Sequence, residues 1–192
     1  MVNAASINWD DAAKRLARGE VGVVPTDTLY GIVGSALKPA TVEHIYGLRR
    51  RELNKPLIVL IGGWDDFDRL QIQIPDRTRN LLNKVWPGPV SVVVSTLSPA
   101  LEYLHRGTDS IAFRMPAKPE LRKLLREVGP LVAPSANLAG EPPALNVDEA
   151  FGHFGEQVFY LDEGSLSNPA SALVDARVEP MKILRPAPGF KL

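Results

Sequence analysis

Apolar residues change their spacing several times along the chain, and each change marks an element. Trp9, Ala12, Ala13, Leu16 and Ala17 recur at helical intervals, with Asp10 and Asp11 at the start and Gly19 as a stop, which predicts a helix over Asp10–Arg18. Val21, Val23 and Val24 form a β-branched run suited to a buried strand. Pro25 lacks the N–H of a central ladder, so the strand is expected to end there, in a hydroxyl-rich loop that runs through Thr26, Asp27, Thr28 and Tyr30 to Gly31. A second helix is predicted over Pro39–Arg51, with Val42, Ile45, Tyr46 and Arg49 on one stripe. The unbroken apolar run Leu57–Ile61 reads as a buried strand closed by Gly62 and Gly63.

Beyond it the pattern predicts a short helix over Trp64–Leu70 and another from Pro75 to the Pro87-Gly88-Pro89 break. Strands follow at Val90–Ser95 and Ser110–Met115, separated by a loop or short helix over Ser98–Thr108. Lys118–Val128 is a helix, Leu131–Ala133 a brief strand, and Asn146 with Glu149 a capping box for a helix through His153. Gln157–Leu161, Ala172–Asp175 and Met181–Leu184 are the last strands. Strands and helices intermingle without a strict βαβ repeat. The expected class is α+β, a three-layer domain with a mixed, twisted sheet, and no linker divides residues 1–192.

Composition narrows the functional classes. The chain has no cysteine, which removes disulfides, thiolate nucleophiles and cysteine metal sites together. Its formal net charge is zero, so the whole-molecule field does not announce nucleic acid, and an anion site must come from local clustering. No apolar run approaches the roughly 20 residues needed to span a bilayer. Met1 to Ala5 lack the basic end and apolar core of a signal peptide, so a cytoplasmic protein with no membrane partner is expected.

Three features could carry chemistry. Arg49, Arg50, Arg51 and Lys55 crowd one helix end, where cations suit the helix dipole as well as a ligand. Arg49 falls on the apolar stripe, and an inward arginine needs an anionic partner or a ligand. The turn Pro134-Ser135-Ala136-Asn137 offers hydroxyl, amide and backbone donors, although taken alone an ordinary Asx or Ser turn explains it better. Arg114 lies inside an apolar strand and Arg185 follows Ile183-Leu184, two strand-borne arginines that together signal an anion. There is no Walker A loop, no G-x-G-x-x-G, no H-E-x-x-H and no G-x-S-x-G. His44, His105 and His153 are scattered.

Read in order, these motifs resemble the YrdC family, which includes threonylcarbamoyl-AMP synthases. The resemblance runs from about Ala12 to Pro186. Its carriers are Pro25-Thr26-Asp27-Thr28-Leu29-Tyr30-Gly31, Arg51 with Lys55-Pro56-Leu57, Trp86-Pro87-Gly88-Pro89, Arg114-Met115-Pro116, Ala133-Pro134-Ser135-Ala136-Asn137, and Ser171 through Val174-Asp175. It implies a mixed sheet lining a basic cleft. It also implies that L-threonine, bicarbonate and ATP are joined to threonylcarbamoyl-adenylate and pyrophosphate, with Mg²⁺ accompanying ATP and no tightly bound cofactor or protein-held metal. Downstream transferase proteins would pass the threonylcarbamoyl group to tRNA, with at most a weak tRNA contact by this chain.

By the same resemblance the family's K-x-R and S-x-N signature falls on Arg49, Arg51, Ser135 and Asn137, expected to be catalytic. Thr28, Tyr30, Arg114, Ala133 and Ser171 would meet threonine, and Arg51, Lys55, Ser110, Ser135 and Arg185 the nucleotide. Arg49 replaces the family lysine, Leu60 stands where some relatives have His, and Pro143 where Ser often follows the turn. The alternatives are a non-catalytic RNA-binding member, a carbamoyl-adenylate domain of hydrogenase maturation, and an inactive paralogue. Zero net charge weighs against the first, absent cysteines against the second, and the intact Ser135-Ala136-Asn137 against the third.

Overall fold

The computed structural model describes residues 6–191, so the reading of Met1 to Ala5 lies outside the described residues. The helices are α1 (Trp9–Arg18), α2 (Pro39–Arg49), α3 (Asp65–Arg69), α4 (Asp76–Val85), α5 (Glu102–His105), α6 (Pro119–Val128) and α7 (Val147–Phe154). The strands are β1 (Gly22–Pro25), β2 (Tyr30–Ser35), β3 (Ile58–Leu60), β4 (Val90–Ser95), β5 (Ser110–Arg114), β6 (Leu131–Val132), β7 (Phe159–Tyr160), β8 (Ala172–Asp175) and β9 (Lys182–Arg185). They form one mixed sheet in the order β7-β1-β2-β6-β3-β5-β4-β8-β9.

Local chemistry explains the element ends. Asn8 caps α1 by accepting from Asp11 N at 2.9 Å, and Gly19 ends it at φ 95°, where a side chain would be strained. Asn146 accepts from Glu149 N at 2.8 Å, while Glu149 reaches back to Leu145 N at 2.8 Å, one residue before the position a capping box uses. The helix predicted to run to Arg51 stops at Arg49, because Arg50 turns left-handed at φ 51°.

Period-two alternation sorts strand side chains into two layers of core. Val24, Val33, Leu60 and Leu131 face α1 and α6, packing on Leu16, Leu121, Leu124 and Leu125. Val23, Ile32, Val59 and Val132, one position away, face the opposite core with Val42, Ile45 and Phe67. The result is helices on both faces of a mixed sheet, the expected three layers.

One strand had not been anticipated. Tyr30–Ser35 follows the hydroxyl-rich loop directly and pairs antiparallel with β1, Pro25 opposite Tyr30. Its glycines lower strand propensity but serve packing: a Cβ on Gly34 would sit 2.5 Å from Thr41 Cγ2, so α2 approaches this strand only over a glycine.

The sheet register also positions the site. On the α1/α6 face, Leu131 pairs with Leu60 and Leu60 with Arg114. One position beyond the Val92–Phe113 pair stands Ser91, opposite Leu173, which pairs with Arg185. The row therefore runs from an apolar, helix-covered half into a polar half bearing two arginines. Among the described residues no helix is long and apolar enough to cross a membrane.

Candidate active-site cleft

That polar half opens into a cleft of about 160 Å³, lined among others by Thr28, Leu60, Arg114, Ala133, Ser135 and Arg185. A single water needs only about 10–15 Å³ of such space. The volume therefore suits a small organic ligand.

The cleft floor is built on the β1–β2 loop. Thr26 Oγ1 donates to Leu29 O at 2.7 Å and accepts from Thr28 N at 3.0 Å, which closes the turn. Leu29 N donates to the same oxygen at 3.2 Å, so its two lone pairs both meet backbone N–H groups. Thr26 Oγ1 also lies 3.0 Å from Thr28 Oγ1, a contact in which either hydroxyl can donate. Arg114 Nη1 donates to Thr28 Oγ1 at 3.0 Å. Hydrogen bonds thus link Arg114 through Thr28 and Thr26 to Leu29 O.

Arg114 is only 5% exposed. Its Nη2 donates to Asp27 Oδ1 at 2.7 Å, while Nε is buried without a hydrogen-bond partner. Burial lowers its pKa and Asp27 opposes that shift, so the group remains a cation. Asp27 Oδ2 accepts from Ala117 N at 3.0 Å, tying the β1–β2 loop to the chain leaving β5.

Tyr30 is fully buried beneath the segment between β7 and β8. Its hydroxyl donates to Gly164 O at 2.7 Å and accepts from Glu163 N at 3.0 Å. Burial, aided by Asp162, pushes its phenol up to about 12. Glu163 anchors the same segment elsewhere, accepting from Trp9 Nε1 at 2.9 Å and pairing with Lys118 Nζ at 2.5 Å. The segment ends at Ser171, whose backbone oxygen accepts from Arg185 Nε at 2.8 Å. Its hydroxyl lies 3.1 Å from Arg185 Nη2 and 3.0 Å from Ser91 Oγ.

The opposite wall is the Pro134-Ser135-Ala136-Asn137 turn. It continues β6 alongside β2, with Ile32 N donating to Pro134 O at 3.0 Å and Ala136 N to Tyr30 O at 2.9 Å. Behind it Arg49, 3% exposed, donates from Nε to Asn137 O at 2.9 Å. Its Nη2 reaches Asn137 Oδ1 at 3.1 Å and Ser135 Oγ at 3.4 Å. Burial and the neighbouring Arg51 charge lower the Arg49 pKa to about 10, still above working pH. The inward turn of Arg49 is as expected, but its partners are neutral oxygens.

Thr28, Tyr30, Arg114, Ala133, Ser135, Ser171 and Arg185 thus come together at the cleft. Arg49 and Asn137 stand behind its wall. Arg51 and Lys55 lie on the loop before β3, where Arg51 donates to Lys55 O at 3.0 Å and Lys55 pairs with Glu52 in the open. Ser110 begins β5 at the end opposite Arg114, about 13 Å away at strand spacing, beside Thr108. Sequence reasoning gave no role to Asp27, whose partner is 87 residues away. Among the described residues no cluster of three or more His, Cys, Asp or Glu is disposed to hold a metal ion.

Comparison with known proteins agrees with this architecture. The family model Sua5_yciO_yrdC, described as "Telomere recombination", matches residues 14–187. A protein of Mycobacterium leprae named "Putative threonylcarbamoyl-AMP synthase" is 38% identical, over 92% of this chain and 81% of its own. The threonylcarbamoyl-AMP synthase of Pyrococcus abyssi is 31% identical, over 91% of this chain and 52% of its own. The crystal structure of P. abyssi Sua5 complexed with L-threonine superposes with a TM-score of 0.84 at 29% identity, covering 93% of this chain and 53% of that one.

Proposed function

The chain belongs to the Sua5/YciO/YrdC family, and we propose that it is a threonylcarbamoyl-AMP synthase. It joins L-threonine, bicarbonate and ATP into threonylcarbamoyl-adenylate and pyrophosphate. The observation that carries this reading is the Arg114–Thr28 pair, a buried cation beside a hydroxyl on the floor of a small cleft. It is supported by relatives of that name and by a similar structure that holds L-threonine.

Threonine lies against Thr28, Tyr30, Arg114, Ala133 and Ser171. Arg114 takes the carboxylate by charge-assisted donation, and the Thr28 hydroxyl bonds the same substrate. The nucleotide lies towards Ser135 and Arg185, with Arg51 and Lys55 on the adjoining loop. Arg49 acts behind them by holding Ser135 and Asn137 in place. Ser110, at the other end of β5 from Arg114, is the remaining candidate for a nucleotide contact. Mg²⁺ enters as part of the nucleotide substrate.

The chemistry is a nucleotidyl transfer in two stages. The threonine amine, deprotonated, adds to the carbon of bicarbonate, and loss of water leaves a carbamate. A carbamate oxygen then attacks the α-phosphorus, and the bond to the β-phosphate oxygen breaks to release pyrophosphate. Such a reaction depends on positioning and charge stabilisation more than on a protein nucleophile. The carbamate is short-lived, so the part-enclosed cleft serves it by limiting water. The product goes to downstream transferase proteins that modify tRNA in the cytoplasm.

The test is pyrophosphate release from ATP with threonine and bicarbonate each present or omitted. Release that needs both supports the synthase. Release with neither, or none from folded protein under any condition, overturns it.

A further inference from the structure

The threonine side of the cleft depends on a side chain that does not line it. Asp27 stands behind Arg114 and joins three segments. Oδ1 accepts from Arg114 Nη2 at 2.7 Å, Oδ2 accepts from Ala117 N at 3.0 Å, and the backbone oxygen accepts from Asn168 Nδ2 at 3.3 Å. Both carboxylate oxygens are thus committed to protein donors, one cationic and one from the backbone. Side-chain exposure is 6% for Arg114 and 12% for Asp27, so their attraction is little screened by solvent.

The geometry decides which edge of the guanidinium meets a ligand. Asp27 holds Nη2, and Nε is enclosed by protein. Nη1 is left toward Thr28, which lines the cleft. Without a fixed carboxylate behind it the planar fork could rotate about its stem, and Thr28 would lose the donor it receives from Arg114 Nη1. Asn in place of Asp27 would keep an oxygen acceptor but remove the charge, and its amide would face a donor at one of the two positions.

We propose that Asp27 is a positioning residue for the amino-acid substrate, acting through Arg114 to present Nη1 beside Thr28 for recognition of the threonine carboxylate. This rests on the synthase reading. It adds to that reading a residue outside the cleft whose influence falls on one substrate only. The nucleotide side is built from Ser135, Arg185 and the loop before β3, none of which bonds to Asp27.

The experiment measures KM for threonine, KM for ATP and kcat by pyrophosphate release in the unsubstituted protein, Asp27→Asn, Arg114→Gln and the double variant. Folding is checked by circular dichroism. Asp27→Asn is expected to raise the threonine KM about tenfold or more and leave the ATP KM within about twofold. The double variant is expected to match Arg114→Gln alone, because Asp27 has nothing left to act through. Equal effects on both substrates, or effects that multiply in the double variant, overturn the proposal. If Asp27→Asn does not fold, Asp27→Glu keeps the charge and displaces the carboxylate by one methylene. It is then expected to raise the threonine KM several-fold, and an unchanged value overturns positioning. Failure of the synthase reading is seen separately, as pyrophosphate release from the unsubstituted protein that ignores threonine.

Discussion

Arg114 and Arg49 are both almost wholly buried, yet one faces the cleft and the other braces its wall. Arg114 has a carboxylate behind it and a hydroxyl beside it at the cleft floor. Arg49 has three neutral oxygens, all on the Ser135–Asn137 turn, and receives a further tie when Ala139 N donates to its backbone oxygen at 2.8 Å. What separates the two is the partner: a carboxylate set back from the cleft for Arg114, neutral oxygens of one turn for Arg49.

The strongest way to break this contrast is to remove both cations. Arg114→Gln should lower kcat/KM for threonine about a hundredfold or more, since charge-assisted hydrogen bonds contribute about 1.5–3 kcal/mol each. The KM for ATP should stay within about threefold, and steady-state kinetics with each substrate varied will decide. Arg49→Met should instead cost stability, about 3 kcal/mol or roughly 5–10 °C in Tm. Because Arg49 holds Ser135, its catalytic loss should fall on ATP more than on threonine, which a thermal melt with the same kinetics would reveal. Arg49→Lys restores the residue of the family pattern and should lose less, because the charge remains and only the planar fork is gone.

Tyr30 sharpens the comparison by testing what covers the Arg114 side. Its folded-state pKa is raised from 10.0 to about 12, so its stabilising effect is full below pH 10 and is lost as pH rises through 12. Tyr30→Phe should lower stability by about 1–2 kcal/mol at neutral pH and flatten that alkaline decline. Tyr160, raised likewise to about 12, together with Tyr46 and Tyr103, which burial also raises, should retain the remainder, as urea midpoints on either side of about pH 10 would show. The smallest effect is expected at the far end of the Arg114 strand. Ser110→Ala should leave ATP affinity by calorimetry within about twofold, and a larger loss would extend the nucleotide site beyond the cleft.

Much of the fold was legible because apolar spacing reports burial directly. Val90–Ser95 and Ala172–Asp175 appear with the bounds the pattern gave them. β2 was hidden because Gly31 and Gly34 weaken the strand signal, and the contact that requires Gly34 comes from α2. At the site, Arg49 and Arg114 stood out as charges on apolar stripes. Their partners did not, because spacing reports which way a side chain faces and not what it meets there. Asp27 lay within the family motif, but only the fold brings it across 87 positions to Arg114. The family resemblance supplied the chemistry, and the register of β3, β5 and β6 explains why its residues share one face.

The Glu163 anchor has an optical consequence. Trp9 holds that carboxylate through its indole N–H, and Lys118 Nζ sits 5.9 Å from the centre of its ring. The other two tryptophans, Trp64 and Trp86, belong to an aromatic cluster with Phe67 in the opposite core. With those two replaced by phenylalanine, the emission of the protein would come from one indole attached to the strand-to-strand segment that ends at Ser171. Its colour and quenching would then report, without an added label, the state of the covering above Tyr30.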